Sequence, residues 1–212
     1  MSVAYLTGGP ASPVRVPESE RVLVGLGVGM HRVMQLGMEA GIDDGTLSLK
    51  PAAALAALRA RFRAADFTRI YLQAWEGGHP DHDASHLIGV RFAAGSAAQV
   101  REFPLYNAAG SAAGRFRSLQ FTPGAMPVLE RRLTAEDAAW WRGLLAAYPS
   151  QQQVFAPMRA SIDWCLDVRR SCTHRQVDPA RDYSLRPHLG PLFYEQGFGL
   201  SFEEFRQRLD KP

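Results

Sequence analysis

The chain has 212 residues, of which 46% are hydrophobic and 21% are charged, and its formal net charge at pH 7 is +3. This balance is that of a globular protein large enough to bury a core, so it excludes disordered and fibrous classes and predicts a single domain over residues 1–212. The basic residues are spread along the chain and form no block, so nucleic-acid binding is not indicated.

The sequence carries no targeting signal that we can identify. No apolar run approaches the roughly 18 residues of a membrane span, and no basic segment followed by an apolar one opens the chain. The spacing of the two cysteines, Cys165 and Cys172, is typical neither of a zinc site nor of a disulfide framework. We therefore expect reduced thiols, no membrane span and a cytoplasmic location, with self-association into a homo-oligomer left open.

Hydrophobic periodicity and turn residues predict strands that alternate with helices over the first half of the chain. Such alternation is typical of βαβ units, so the predicted fold class is α/β, with a Rossmann-like, mostly parallel sheet and helices on both faces. Segment 107–114, rich in small residues, is predicted to be a turn. The predicted strands are 3–6, 32–36, 69–75, 100–105 and 115–121. The predicted helices are 17–26, 51–65, 80–93, 135–147, 151–168 and 201–209, and the helix over 151–168 is expected to be interrupted or reset by Pro157.

Segment 75–86 concentrates three of the six histidines directly behind a predicted strand. The two glycines at 77 and 78 predict a tight turn, and Pro80 suits the first position of a helix because it has no N–H to satisfy. Asp81 and Asp83 then place negative charge at the positive end of the helix dipole. The segment is expected at the carboxyl edge of the sheet, where open α/β folds bind ligands.

The three histidines of this segment differ in their position on the predicted helix. His82 and His86 are four residues apart and share a face, whereas His79 precedes the first turn. One interpretation is a metal or catalytic site at His79 and His82. The other is a polar turn without a metal, because histidine pairs also occur by chance in loops. His86 lies one turn deeper and is expected to be a core residue or a support for a ligand.

Gly78 to His82, read as Gly-His-Pro-Asp-His, resembles the second metal motif of the PIG-L/LmbE-like family of zinc-dependent N-deacetylases, which remove acyl groups from amino sugars and related conjugates. The likeness covers most of residues 3–155, and residues 156–212 are less diagnostic. The family's first motif, His-Pro-Asp-Asp-Glu, does not occur in this sequence. The first strand and helix of the family fold are therefore expected to precede Met1. Segments 5–9, 15–18, 26–28, 36–37, 44–45 and 147–151 also resemble family segments.

The resemblance implies a Zn²⁺ ion that activates a water and polarises the amide carbonyl of a small N-acetylated sugar or conjugate. It implies His82 as a metal ligand and His79 as a donor to the tetrahedral oxyanion or a general acid. It also implies that Asp81 orients a histidine and that Arg15 binds substrate. Two further ligands and the general base belong to the first motif, so the predicted metal site is incomplete in this chain.

Other interpretations of these residues remain. Asp81 stabilises a helix start whether or not it takes part in catalysis, and Glu18 is expected to act in the same electrostatic way. Arg15 is read equally well as a solvated charge. For the whole chain, the alternative to a deacetylase is a non-catalytic relative that binds a ligand or forms oligomers. No mechanism is assigned to His174 and His188.

Overall fold

The computed structural model describes residues 1–111 and 115–210, which form a mixed α/β fold. Residues 112–114 of the predicted turn 107–114 lie outside the described residues. Within the described ranges, no helix is both long and apolar enough to cross a membrane. The strands are β1 (Val3–Ala4), β2 (Val33–Met34), β3 (Arg69–Gln73), β4 (Gln99–Phe103), β5 (Tyr106–Asn107), β6 (Arg117–Ser118), β7 (Val128–Arg132) and β8 (Ser171–Gln176). The α-helices are α1 (Ser12–Gly25), α2 (Leu36–Glu39), α3 (Pro51–Arg61), α4 (Pro80–Ala93), α5 (Ala135–Ala146), α6 (Gln152–Phe155), α7 (Arg159–Asp163), α8 (Phe193–Gly197) and α9 (Phe202–Leu209).

The strands form small sheets of mixed direction. β1 pairs with β2 in parallel, and β3 pairs with β4 in parallel. β8 then joins β4 antiparallel, β7 joins β8 antiparallel, and β5 and β6 form a separate short pair. The general α/β class is thus confirmed. The predicted single, mostly parallel sheet is not, because among the described residues parallel pairing is limited to two separate strand pairs.

β1 and β3 each have one edge without a strand partner in residues 1–111 and 115–210. Both strands nevertheless lie over the same apolar core, since Ala4, Leu6 and Ile70 all pack against it. Backbone N–H and C=O groups along such an edge are able to pair with another strand. The two parallel strand pairs therefore pack against the same core, but in the described residues no β-sheet hydrogen bonds join one pair to the other.

Helix starts follow the local signals at two places and depart from them at a third. α4 begins at Pro80, as predicted, and α5 follows a capping box in which Thr134 and Asp137 exchange side-chain to backbone hydrogen bonds. The prediction for α1 is wrong: the helix begins at Ser12, and Pro17 lies inside it. A second proline in the first turn of α1 accounts for the early start, because proline is well tolerated there.

The region after α5 is divided as its proline indicates. The predicted interruption of helix 151–168 at Pro157 is confirmed, since short helical segments lie on either side of it, and Trp164–Arg169 winds as a π-helix. The sequence did not predict β7, which precedes α5, or β8, which follows the π-helix. The predicted C-terminal helix is confirmed as α9, and segment 115–121 keeps only the two strand residues of β6.

The main core anchors the segment that follows β3. The Trp75 ring packs against Phe202 and Phe205, with ring centroids 6.3 and 6.0 Å apart. α4 lies against β3 at Gly89, where an added Cβ would overlap the Leu72 side chain. Close packing of this kind fixes the position of the α4 N-terminus relative to β3.

Candidate functional site

The loops that follow β1, β2 and β3 meet. Gly8, after β1, forms a parallel bridge with Asp43, in the loop that follows β2 and the short helix α2. The Asp81 carboxylate, in the first turn of α4, accepts hydrogen bonds from Gly45 N at 2.5 Å and Leu47 N at 3.0 Å in that same loop. The carboxyl ends of parallel strands are where α/β folds form ligand sites. The predicted site segment lies at such a place.

The turn before α4 requires both of its glycines. Gly77 has a φ of +72°, a left-handed conformation that side chains disfavour. At Gly78 an added Cβ would overlap the backbone carbonyl oxygen of Tyr106. The chain therefore passes directly under β5 and delivers His79 to the N-cap position of α4.

The hydrogen bonding of His79 determines where its proton lies. Nδ1 accepts a hydrogen bond from the backbone N–H of Asp81 at 3.2 Å, so the neutral ring carries its proton on Nε2. Burial lowers the pKa of His79, and the nearby Asp81 charge opposes this shift. The ring is also packed edge-on against Phe198, with centroids 4.9 Å apart. A neutral histidine with its proton on Nε2 is a hydrogen-bond donor suited to a developing negative charge.

Asp44, His79 and Asp81 form a group of possible metal ligands, with one candidate atom from each within 4.8 Å of the others. All three already have partners. Asp44 accepts a hydrogen bond from Arg15 Nη1 at 2.7 Å, Asp81 binds two loop amides, and His79 accepts from a backbone N–H. A guanidinium beside Asp44 opposes a second cation by charge repulsion. This group is therefore a hydrogen-bonded unit in which Arg15 competes with a cation for Asp44.

His82 differs from these three residues, because one of its ring nitrogens makes no hydrogen bond in the described part of the chain. It lies outside the Asp44–His79–Asp81 group, and its Nδ1 is buried without a hydrogen-bond partner in the described part of the chain. Burial, assisted by the nearby His79, lowers the pKa of His82 to about 3. The ring centroid is 5.3 Å from that of His79 and 5.5 Å from that of Tyr106. A neutral imidazole with an unpaired nitrogen is able to bind a metal ion at neutral pH.

Two buried carboxylates hold the loops around these histidines. Glu76 accepts hydrogen bonds from the backbone N–H groups of Leu105 at 2.8 Å and Tyr106 at 2.9 Å. Asp83 accepts from Glu76 N at 3.0 Å and from Gly77 N. Burial raises the pKa of Glu76 well above its usual value and raises that of Asp83 to about 7. Sequence analysis missed Glu76, although an acid that ends an apolar strand is a signal that could have identified it.

His86 is a satisfied core residue, which was one of its two predicted roles. Its Nδ1 lies 2.8 Å from the Gln73 carbonyl oxygen, and its Nε2 lies 2.9 Å from the Tyr183 hydroxyl. Burial lowers the pKa of His86 to about 4 despite the nearby Glu102. Glu102 itself is fully buried and bonds to Arg175 Nε at 2.6 Å. These groups connect α4 to β3 and β4 to β8. In the described part of the chain they make no hydrogen bond with His79 or His82 at the N-terminus of α4.

A cavity of about 150 Å³ adjoins the site. It lies between α1 and the segments that follow β1 and β2, and both Arg15 and Asp44 line it. Arg15, predicted to bind substrate, thus borders the cavity while it pairs with Asp44. Asp44 also belongs to the group with His79 and Asp81. Its carboxylate therefore lies both at the cavity and beside the N-terminus of α4.

The remaining residues singled out in the sequence lie elsewhere. The expected helix-start role of Glu18 is wrong, because the residue lies within α1 and accepts hydrogen bonds from Ser150 N at 3.0 Å and Ser150 Oγ at 2.5 Å. These bonds lower the pKa of Glu18 and tie α1 to the turn after α5. His174 lies on β8, and His188 Nδ1 contacts the Leu189 carbonyl oxygen at 2.9 Å.

The Asp81 carboxylate differs from its predicted role. It was expected to orient a histidine through a ring nitrogen, but the contact with His79 is made by the Asp81 backbone N–H. The carboxylate instead holds the loop at residues 45–47. Asp81 therefore positions Asp44, which precedes that loop, as well as His79.

Comparison with models of protein families, with curated proteins and with solved structures finds no match to this chain.

Proposed function

We propose that the protein is a metal-dependent deacetylase of the PIG-L/LmbE-like kind, which hydrolyses the N-acyl group of an amino sugar or glycoconjugate. The observation that carries this proposal is the position of Asp44, which lines the cavity and also stands beside His79 and Asp81. A sugar held in the cavity by Arg15 and Asp44 would extend its amide group toward the α4 N-terminus. Backbone N–H groups at a helix N-terminus favour the negative charge that develops there.

His79 and His82 have different roles in the proposed reaction. His79, neutral and protonated on Nε2, donates a hydrogen bond to the oxyanion of the tetrahedral intermediate. His82, neutral and with its Nδ1 unpaired among the described residues, fits the role of a zinc ligand. When bound, zinc supplies polarisation of the amide carbonyl and a water of lowered pKa. Asp81 keeps His79 and the Asp44 loop in place throughout.

A catalytic zinc site has three protein ligands, and His82 offers one that fits without breaking other hydrogen bonds. The free edges of β1 and β3 offer a route to the others. A strand that pairs with both edges would join the two parallel pairs into one Rossmann-like sheet and end beside His82. We propose that this strand carries the missing ligands and the general base.

Zinc titration and amine release test this function directly. The native protein should bind one equivalent of zinc in calorimetry and release a primary amine from N-acetylglucosamine or a related conjugate in a zinc-dependent reaction. His82→Ala should abolish both, whereas His31→Ala, an exposed histidine outside the site, should leave both intact. Failure of the native protein to bind zinc, or equal activity in the two variants, would rule out the proposal. Intact mass of the native polypeptide distinguishes a strand of the same chain from a strand of a partner.

One observation favours a second candidate, a non-catalytic relative that binds a sugar or forms oligomers. The cavity has a polar lining that suits a sugar, whereas the described residues do not provide a complete set of zinc ligands. Such a protein would bind N-acetylglucosamine with the same affinity in the presence of zinc or of a chelator and would release no amine. Zinc-dependent amine release would exclude it.

A further inference from the structure

Gln35 is unusual because its side-chain amide has no hydrogen-bond partner in the structure described. It follows β2 directly, at the N-cap of α2, and its side chain lines the cavity. The Nε2 atom is buried and unpaired, and residues 1–111 and 115–210 contain no partner for it. A buried amide N–H without a partner is costly, and native structures rarely retain one without a reason.

The cavity is partly open to solvent, and its volume of about 150 Å³ is sufficient for one six-membered ring. Here the lining is polar, with side chains of Tyr5, Thr7 and Ser12 beside Gln35. Hydroxyl and amide groups of this kind recognise a hydroxylated ring in preference to an apolar one.

The charges of the lining residues also limit which ligands the cavity binds. Arg15 and Asp44 are paired at 2.7 Å, so their opposite charges compensate each other. A neutral ligand therefore enters without leaving either charge unpaired, whereas an anion or a cation would repel one of them. A glutamine amide both donates and accepts, as a sugar hydroxyl does.

We propose that Gln35 is a specificity-determining residue that hydrogen-bonds a hydroxyl of one neutral monosaccharide ring in this cavity. The inference rests on the proposed function, because it assigns the cavity to the sugar part of the substrate. It adds the residue that selects the sugar ring, Gln35.

Gln35→Met tests the role of the amide, because methionine is also unbranched and of similar length. Gln153→Met is the matched control, since Gln153 is exposed and does not line the cavity. Binding of N-acetylglucosamine is followed by ligand-observed NMR at millimolar sugar, without zinc. Loss of one neutral hydrogen bond should weaken binding by about 3- to 10-fold in Gln35→Met and leave Gln153→Met unchanged. The melting temperature of Gln35→Met without sugar should equal or exceed that of the wild type, because no existing bond is lost.

The outcomes separate this inference from the proposed function. If zinc binding and amine release fail but the sugar still binds and depends on Gln35, the deacetylase proposal falls and the assignment of the cavity stands. Equal sugar affinity in Gln35→Met and the wild type overturns the assignment even where amine release is observed. Absence of sugar binding to the wild-type protein overturns it as well, and a clear drop in the melting temperature of sugar-free Gln35→Met would show that Gln35 supports the fold instead.

Discussion

Replacing Asp81 tests whether its carboxylate holds the Asp44 loop against α4. Asp81→Ala removes the acceptor for the N–H groups of Gly45 and Leu47. Leu47 is buried, so its N–H is left unpaired at a cost of about 1–3 kcal/mol, whereas the N–H of the partly exposed Gly45 recovers some bonding to water. Loss of a first-turn acid adds about 0.3–1 kcal/mol. We expect a total loss of about 2–4 kcal/mol in the free energy of unfolding.

Urea denaturation followed by circular dichroism measures this change. Asp81→Asn keeps one carbonyl oxygen, so it should lose about half as much as Asp81→Ala. Asp66→Ala is the control, because Asp66 is exposed and makes no hydrogen bond through its side chain in the part of the chain described. If Asp81→Ala and Asp66→Ala differ by less than about 0.5 kcal/mol, the surface-substitution range, the carboxylate does not hold the loop.

Three further changes test other parts of the structure. Glu102→Gln leaves the buried Arg175 without its counter-ion, and urea denaturation should show a loss of about 3–5 kcal/mol; a loss below about 1 kcal/mol would contradict a buried ion pair. His86 has its pKa lowered to about 4, so the stability it contributes above its usual pKa of 6.5 is lost as the pH falls toward 4. Its ring shifts in NMR should therefore show no protonation above about pH 5, and an inflection near 6.5 would refute the burial effect. Alanine at Gly78 meets a backbone carbonyl and should destabilise by about 1–3 kcal/mol, whereas alanine at Gly143, in open space on α5, should stabilise by about 0.5–1 kcal/mol; melting temperatures that move in the same direction would contradict this.

The start of α4 was predictable because all of its signals are local. Gly77, Gly78, Pro80 and Asp81 lie within one turn of chain, and each acts on its own backbone neighbourhood. The same holds for the capping box before α5, in which the two partners are three residues apart. Short-range signals of this kind do not depend on how the rest of the chain folds.

The contacts that give the site its character could not be predicted in this way. Asp81 and Gly45 are 36 positions apart, so only the packing of segment Leu47–Leu49 against α4 brings them together. β7 was missed because all five of its residues are exposed, which removes the alternation that marks a half-buried strand. The cavity that Gln35 lines is formed by residues from three separate segments. No local sequence pattern predicts such a cavity or the unpaired amide of Gln35.

Asp44 belongs both to the cavity and to the group beside His79, so it links ligand binding in the cavity to cation binding beside His79. A ligand in the cavity that draws Arg15 toward itself leaves the Asp44 carboxylate without its counter-ion, and a cation beside His79 is then better tolerated. Because linkage is reciprocal, that cation must strengthen binding of the ligand by the same factor. The sign of the coupling thus reports whether Arg15 moves: cooperative binding when it does, and independent or competing binding when the pair stays closed.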